Sequence, residues 1–169
     1  MYGSRMVEQV RRKPKKMTKL LKAAMIFFGV LFVLMGIMIS QAFMLAGSLL
    51  VLLYFVYDVY SQKEYEYTLE ENMLSIDVIM GRRYRKNVHV LNMQELEVVA
   101  PSGHESVAKY RKNGGSVRLP KYDYTSYDDA VPYYTMIVME DKTKIKVLLD
   151  LDEEFLRALK RLCPTKVFA

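Results

Sequence analysis

Residues 23–57 read AAMIFFGVLFVLMGIMISQAFMLAGSLLVLLYFVY, a run from Ala23 to Tyr57 with no Asp, Glu, Lys, Arg or His. Its one strongly polar interruption is Ser40-Gln41. As a single helix the run would span roughly 50 Å, against a bilayer core of about 30 Å. It is too long for one crossing and suits two short ones. The reading is two transmembrane helices, about 20–39 and 42–60, joined by a very tight turn at Ser40-Gln41. Such a helical hairpin returns the chain to the side it left. Tyr54, Tyr57 and Tyr60 close the second span as interface anchors, because a ring with a polar tip suits the headgroup level. Gly29 and Gly36, with Ala46 and Gly47, permit close helix approach without forming a strict small-residue repeat. A cleaved leader is the rival for the first span, but a leader's apolar stretch is shorter and does not run into a second one.

Charge falls into two regimes on either side of the run. Residues 1–22 hold eight basic side chains (Arg5, Arg11, Arg12, Lys13, Lys15, Lys16, Lys19 and Lys22) and one acid, Glu8, and read as a basic cytoplasmic tail. Residues 61–169 hold seventeen bases and seventeen acids, so the net charge of +6 belongs to the tail. A basic flank abutting an apolar span marks the cytoplasmic side. A nucleic-acid arm would not run straight into a membrane span, so no nucleic-acid partner is expected. Both termini are therefore expected in the cytoplasm of a two-span cell-membrane protein. Cys163 is the only cysteine, which rules out an intrachain disulfide, and it reads as a small apolar residue near a helix end.

From Glu64 the apolar period changes to two. Tyr65, Tyr67 and Leu69 alternate with Glu64, Glu66, Thr68 and Glu70, the pattern of a half-buried strand. Leu74, Ile76, Val78 and Met80 repeat it after a turn at Glu71-Asn72, and Gly81 suits a second turn. A third strand covers about Tyr84–Leu91, with Val88 and Val90 on its apolar side and His89 on the other. Gln94–Val99 reads as a fourth, ended by Pro101-Ser102-Gly103. Residues 101–132 are weakly patterned, with a short candidate strand at Val117–Leu119. Tyr133–Met139 and Lys144–Leu149 make a tight hairpin. The chain then closes in an amphipathic helix with Phe155, Leu156, Leu159 and Leu162 on one face, stopped by Pro164. Asp150 with Glu153 reads as a capping-box analogue, with Asp152 competing for the cap.

Six to seven antiparallel strands in a partly open barrel, then one C-terminal helix, resemble the pleckstrin-homology-like domains of bacterial membrane proteins. The phrases that carry the likeness are Tyr65-Glu66-Tyr67-Thr68-Leu69, Leu74-Ser75-Ile76-Asp77, Gly81-Arg82-Arg83-Tyr84-Arg85-Lys86 and Met93-Gln94-Glu95-Leu96-Glu97-Val98-Val99. With the two spans, the whole chain looks like a small bacterial family of two-span proteins carrying such a domain in the cytosol, here residues 61–169. The resemblance implies a binding or scaffolding role with no assigned ligand, and the lack of a nucleophile–base or metal set in the soluble part of the sequence sets the expectation that the chain is not an enzyme.

Arg82, Arg83, Arg85 and Lys86 are the densest charge cluster of the soluble part. Only Ser61–Glu64 separates the span from the first strand, a reach of roughly 13–14 Å, so the domain is expected close to the bilayer. The cluster is a candidate contact for anionic lipid headgroups, weighed against a plain solvated turn. Tyr122, Tyr124 and Tyr127, with Tyr133 and Tyr134, are either a partner surface or the closure of one end of the core. His89 and His104, the only histidines, lack metal-ligand spacing, and Asp123, Asp128 and Asp129 lack the spacing and glycine of a calcium loop. No cofactor is expected. The partners expected are the bilayer and a protein or second copy of the chain. An accessory subunit of a larger membrane complex is the alternative, and a membrane enzyme with a scattered site the remote one.

Overall fold

A computed structural model describes residues 5–169. The chain forms β1 (Met6–Arg11), α1 (Lys16–Met38), α2 (Ala42–Ser61), β2 (Lys63–Glu70), β3 (Met73–Met80), β4 (Tyr84–Asn92), β5 (Leu96–Pro101), β6 (Lys121–Asp123), β7 (Tyr134–Glu140), β8 (Thr143–Leu149) and α3 (Glu153–Leu162). These divide into two compact units. One holds the two long helices with the β3–β4 turn, Met80–Tyr84; the other holds the strands and α3.

In the helical unit, α1 and α2 run 23 and 20 residues, long and apolar enough to cross a membrane. Only Gly29, Gly36 and Gly47 are buried in them, so nearly the whole apolar surface of both helices faces outward. A Cβ on Gly36 would lie 2.8 Å from the Met44 backbone nitrogen, and one on Gly47 3.0 Å from that of Val33. The glycines therefore let the backbones touch, the packing mode that works where no hydrophobic effect drives association. At the open end of the hairpin, Lys22 Nζ donates to Asp58 Oδ1 at 2.5 Å.

The strand unit consists of two four-stranded sheets, β1-β2-β3-β4 and β5-β7-β8-β6. β1 pairs with β2, β5 with β7 and β7 with β8 antiparallel, β6 pairs with β8 parallel, and an isolated parallel bridge joins Val99 to Val167. Tyr67, Leu74, Ile76, Leu91, Met136, Val147 and Leu149 fill the space between the sheets, and Phe155 and Leu159 of α3 join the same core. The C-terminal segment covers the outer edge of β5: Val99 donates to the Lys166 carbonyl and Phe168 to the Val99 carbonyl, each at 2.8 Å. The sheets are open, not a closed barrel.

The structure departs from the sequence reading at several points. Residues 6–11, read as part of a basic tail, form β1, which pairs antiparallel with β2 from Met6↔Leu69 to Arg11↔Glu64. Residues 1–4 of that expected tail lie outside the described residues. Arg11 faces Glu64 in an ion pair at 3.2 Å, and Gln9 Nε2 donates to Glu66 Oε2 at 2.8 Å, so directly opposite side chains hold the strand. The first candidate strand is not half-buried: Glu66 and Thr68 are buried as well as Tyr65, Tyr67 and Leu69. On β4 the expected facing is reversed near its end, where His89 and Leu91 are buried while Val90 is 49% exposed. Residues 93–95 form a 3₁₀ turn, so the fourth expected strand starts at Leu96. The short strand lies at 121–123, not 117–119, because β8 pairs with it there. Asp152, not Asp150, caps α3, accepting from the Phe155 N–H at 2.6 Å; Asp150 is buried and accepts from the Ser126 N–H. Leu162 lies off the buried face of α3, which is Phe155, Leu156 and Leu159.

Glu8 sits on the core-facing side of β1, between Met6 and the buried Val10. Its Oε1 accepts from the Asp152 N–H at 3.1 Å, while Oε2 is buried without a partner. Burial first, then the charges of Asp152 and Asp150, push its carboxyl up from 4.5 to about 8. The fold thus favours protonated Glu8. The penalty for ionising it is absent below about pH 4.5, grows between about 4.5 and 8, and is complete above 8. Glu8→Gln keeps the acceptor and removes the charge. In melts of the full chain in neutral detergent, followed by near-UV tyrosine dichroism, it should raise the midpoint well above pH 8 and leave it nearly unchanged below about pH 4.5. A midpoint gain that is the same at both ends of the range would contradict this.

Candidate functional site: a basic turn and a tyrosine clamp

Four basic residues close in sequence do different work in the fold. The turn after β3 needs a left-handed backbone at Gly81 (φ +58°) and Arg82 (φ +63°). Gly81 donates its N–H to the Gln62 carbonyl at 3.1 Å, and a Cβ on Gly81 would stand 2.4 Å from Val59 Cγ1. Only glycine lets the turn lie this close to the last turn of α2. Arg82 and Arg83 are exposed there and make no ion pair among the described residues; Lys86, at the start of β4, is exposed and likewise unpaired. Arg85 differs. Its guanidinium bridges Glu66 on β2 and Asp77 on β3, with Nε 2.7 Å from Asp77 Oδ2. Asn87 Nδ2 donates to the other Asp77 oxygen at 2.7 Å. Arg85 thereby offsets the charge of the buried Glu66 carboxylate, which explains why the polar face of β2 tolerates burial.

The tyrosines of the 121–127 segment are engaged within the strand unit. Tyr124 packs edge-on to Tyr65 at 5.3 Å and to His89 at 5.6 Å, and its carbonyl accepts from the Tyr67 hydroxyl. Tyr122 stands edge-on to His89 at 4.5 Å, and Tyr127 lies 4.1 Å below the Arg12 guanidinium. Arg12, the residue after β1, also covers the Tyr65 ring at 4.7 Å, and its Nε donates to the Thr125 carbonyl at 3.2 Å. Its second arm reaches the Asp123 carbonyl and stands 3.6 Å from the Asp123 carboxylate. The segment thus clamps the end of β1 through one guanidinium held by rings, carbonyls and a charge. Sequence reasoning counted Arg12 only as tail charge. The tyrosine spacing was visible, but their partner was not.

The remaining candidates fall to structural duties. His89 is buried with Nδ1 2.9 Å from both Glu140 oxygens. His104 Nδ1 is 2.8 Å from the Ser106 hydroxyl and accepts the Ser106 N–H, an N-terminal cap for the 3₁₀ turn 105–110, while its ring stacks on Phe168. Among the described residues no carboxylate pairs with His104, and its contacts with Ser106 have the geometry of a cap. Asp128 Oδ1 accepts from the Ala130 N–H in a surface turn. No group of three or more metal-ligating side chains occurs among the described residues. Cys163 is half-buried and donates to the Met93 carbonyl. On α2, Tyr60 is exposed, and Tyr54 and Tyr57 are half-buried.

Comparison with curated proteins and with solved structures gave no match. A family model described as "Bacterial PH-like domain" (DUF6106) matches residues 5–169, and so runs through β1, both long helices, all the later strands and α3. Two sheets closed by a C-terminal helix, with an apolar helical hairpin between the first two strands, are thus the architecture of a family member: the chain belongs to the bacterial PH-like domain family DUF6106.

Proposed function

We propose that this chain is a non-enzymatic membrane protein that crosses the cell membrane twice and presents its PH-like unit as a binding or scaffolding surface on the cytoplasmic face. The observation that carries the reading is the pairing of β1 with β2 on either side of the hairpin. Two strands that share a hydrogen-bonded ladder must lie on one side of a bilayer, so the 51 residues between them, 12–62, cross an even number of times. Eight bases before Ala23 and none in the Ser40-Gln41 turn favour the cytoplasm for that side. A cleaved leader fits poorly, since cleavage would strip a strand from the sheet. The non-enzymatic reading rests on the absence of an oriented nucleophile or acid–base set among the described residues. A reporter of cytoplasmic location fused after Ala169 should be active and an external one silent, with the pattern inverted for insertion after Gln41. An active external reporter at Ala169 would overturn the topology.

Arg82, Arg83 and Lys86 are the lipid contacts in this reading, and Arg85 is not, because Glu66 and Asp77 hold it. Arg82 and Arg83 belong to the turn packed on Val59 near the end of α2, close to Tyr57 and Tyr60. Each near-surface base adds about 1 kcal/mol toward anionic lipid, screened over about 8 Å at physiological salt. Full-length protein extracted from mixed phosphatidylglycerol and phosphatidylcholine should retain phosphatidylglycerol in preference. Combined Arg82→Ser, Arg83→Ser and Lys86→Ser should lose most of that preference at an unchanged melting midpoint. Equal retention by both proteins would reduce the cluster to a solvated turn.

A further inference from the structure

Next to a larger pocket of about 530 Å³ around Asp128, with which it shares Ser102, Lys121, Tyr133 and Leu148, the strand unit contains a second pocket of about 260 Å³ whose own lining is one-sided in charge. Arg111, Lys112, Lys121 and Lys146 all line it, with the hydroxyls of Ser102, Tyr133 and Thr135, and no acid does. Lys146 is the unusual member. It stands on β8, is 9% exposed, and its ammonium has a single hydrogen bond, to the neutral Tyr110 carbonyl at 2.6 Å. An ammonium has three donors, and burying one against a lone carbonyl leaves most of its charge uncompensated. Burial, and then the Lys121 charge, hold its pKa below the ordinary lysine value, the direction expected where a counter-charge is missing.

The other cations are poised at the same cavity. Arg111 is fixed by the Gly103 and His104 carbonyls, with the His104 oxygen 3.1 Å away, so its position is set without consuming its charge on an acid. Lys112 is exposed and has no ion pair among the described residues. Lys121 reaches Asp123 only at 3.8 Å, and that carboxylate already accepts from the Thr125 hydroxyl and faces Arg12. The local acid Glu97 is taken up elsewhere, by Lys144, Lys109 and the Tyr110 hydroxyl.

We infer that this cavity, framed by Lys146, Arg111, Lys112 and Lys121, binds a small phosphate-bearing anion. Its volume is below the roughly 300–1,000 Å³ of drug-sized sites, which limits the ligand to a single compact head. Four cations and three hydroxyls match a tetrahedral dianion with several acceptor oxygens better than a monovalent carboxylate. The site uses strands and cations distinct from the basic β3–β4 turn, and it stands whether or not that turn meets lipid. The phosphate is carried either by a free ion or by a phosphomonoester lipid head.

Calorimetric titration of the full chain in neutral-detergent micelles with inorganic phosphate, at constant ionic strength in chloride, tests it. The expected result is saturable one-site binding, weakened about tenfold or more by Lys146→Met, as befits loss of a charged hydrogen bond. Combined Lys112→Gln and Lys121→Gln, both at exposed or half-exposed positions, should weaken it as well and decides the matter if Lys146→Met does not fold. If free phosphate is silent, nanodiscs of phosphatidylcholine with phosphatidic acid should raise the melting midpoint over phosphatidylcholine alone. The Lys112/Lys121 pair should abolish that rise and the Arg82/Arg83/Lys86 triple should keep it, which assigns the phosphate to a lipid head. Binding of neither probe, or binding that the Lys112/Lys121 pair leaves unchanged, overturns the inference.

Discussion

The pairing of six residues before the hairpin with six after it is the constraint on which the rest depends. In an ordinary chain, closing a loop of about fifty residues costs about 3–4 kcal/mol in its length-dependent part alone. Here the loop is two helices whose backbones meet at Gly36 and Gly47 and whose open ends are joined by Lys22 and Asp58. That packing holds the two ends of the insertion close, so pairing β1 with β2 adds little further entropic cost. Gln62 alone connects α2 to β2, and Arg12 through Lys15 connect β1 to α1. Linkers this short leave the ladder little freedom of register.

The charges divide by the same logic. Groups near β2 and the end of β1 are neutralised inside the fold: Arg85 on Glu66 and Asp77, Gln9 on Glu66, Arg11 on Glu64, Arg12 on carbonyls, Asp123 and two rings. Arg82, Arg83, Lys86, Lys112 and Lys146 are among the bases that pair with no acid among the described residues. Counting bases along the sequence ranks the turn first and the tail alongside it. The structure moves Arg85, Arg11 and Arg12 to structural duty and raises Lys146, which no local run announces.

Much of the architecture was legible from residue patterns alone. The hairpin was visible because an uncharged run of that length has few other fates, β2, β3 and β8 because their apolar period is two, and β7 because a short apolar run, Met136–Met139, is followed by a polar turn. β1 was not, since Val7 and Val10 in MVEQVR do not alternate cleanly and the bases around them suggest a solvated arm. Its signal lies in its partner, 55 residues away at Val10↔Tyr65 and 57 at Gln9↔Glu66. The same holds for His89, drawn inward by Glu140 and the Tyr122 ring, and for β6, whose three residues are strand only because β8 lies beside them. The basic cavity assembles from four scattered positions in the weakly patterned 101–132 segment and β8, where local composition carries no warning.

A fragment beginning at residue 61 would lack β1 and expose the β2 edge, so the decisive test uses the whole chain. Antiparallel partners lie about 4.5–5.5 Å apart between Cα atoms, within the range a disulfide accepts. With Cys163→Ser as background, Arg11→Cys combined with Glu64→Cys places two thiols at opposed positions whose native side chains already touch. The account predicts that this pair oxidises readily to an intramolecular disulfide in the full-length protein in neutral detergent, while Arg11→Cys with Glu70→Cys, displaced six residues along β2, stays reduced. Failure of the opposed pair to cross-link, or equal cross-linking by both, would mean that residues 6–11 are a free arm and would contradict the pairing on which the topology rests.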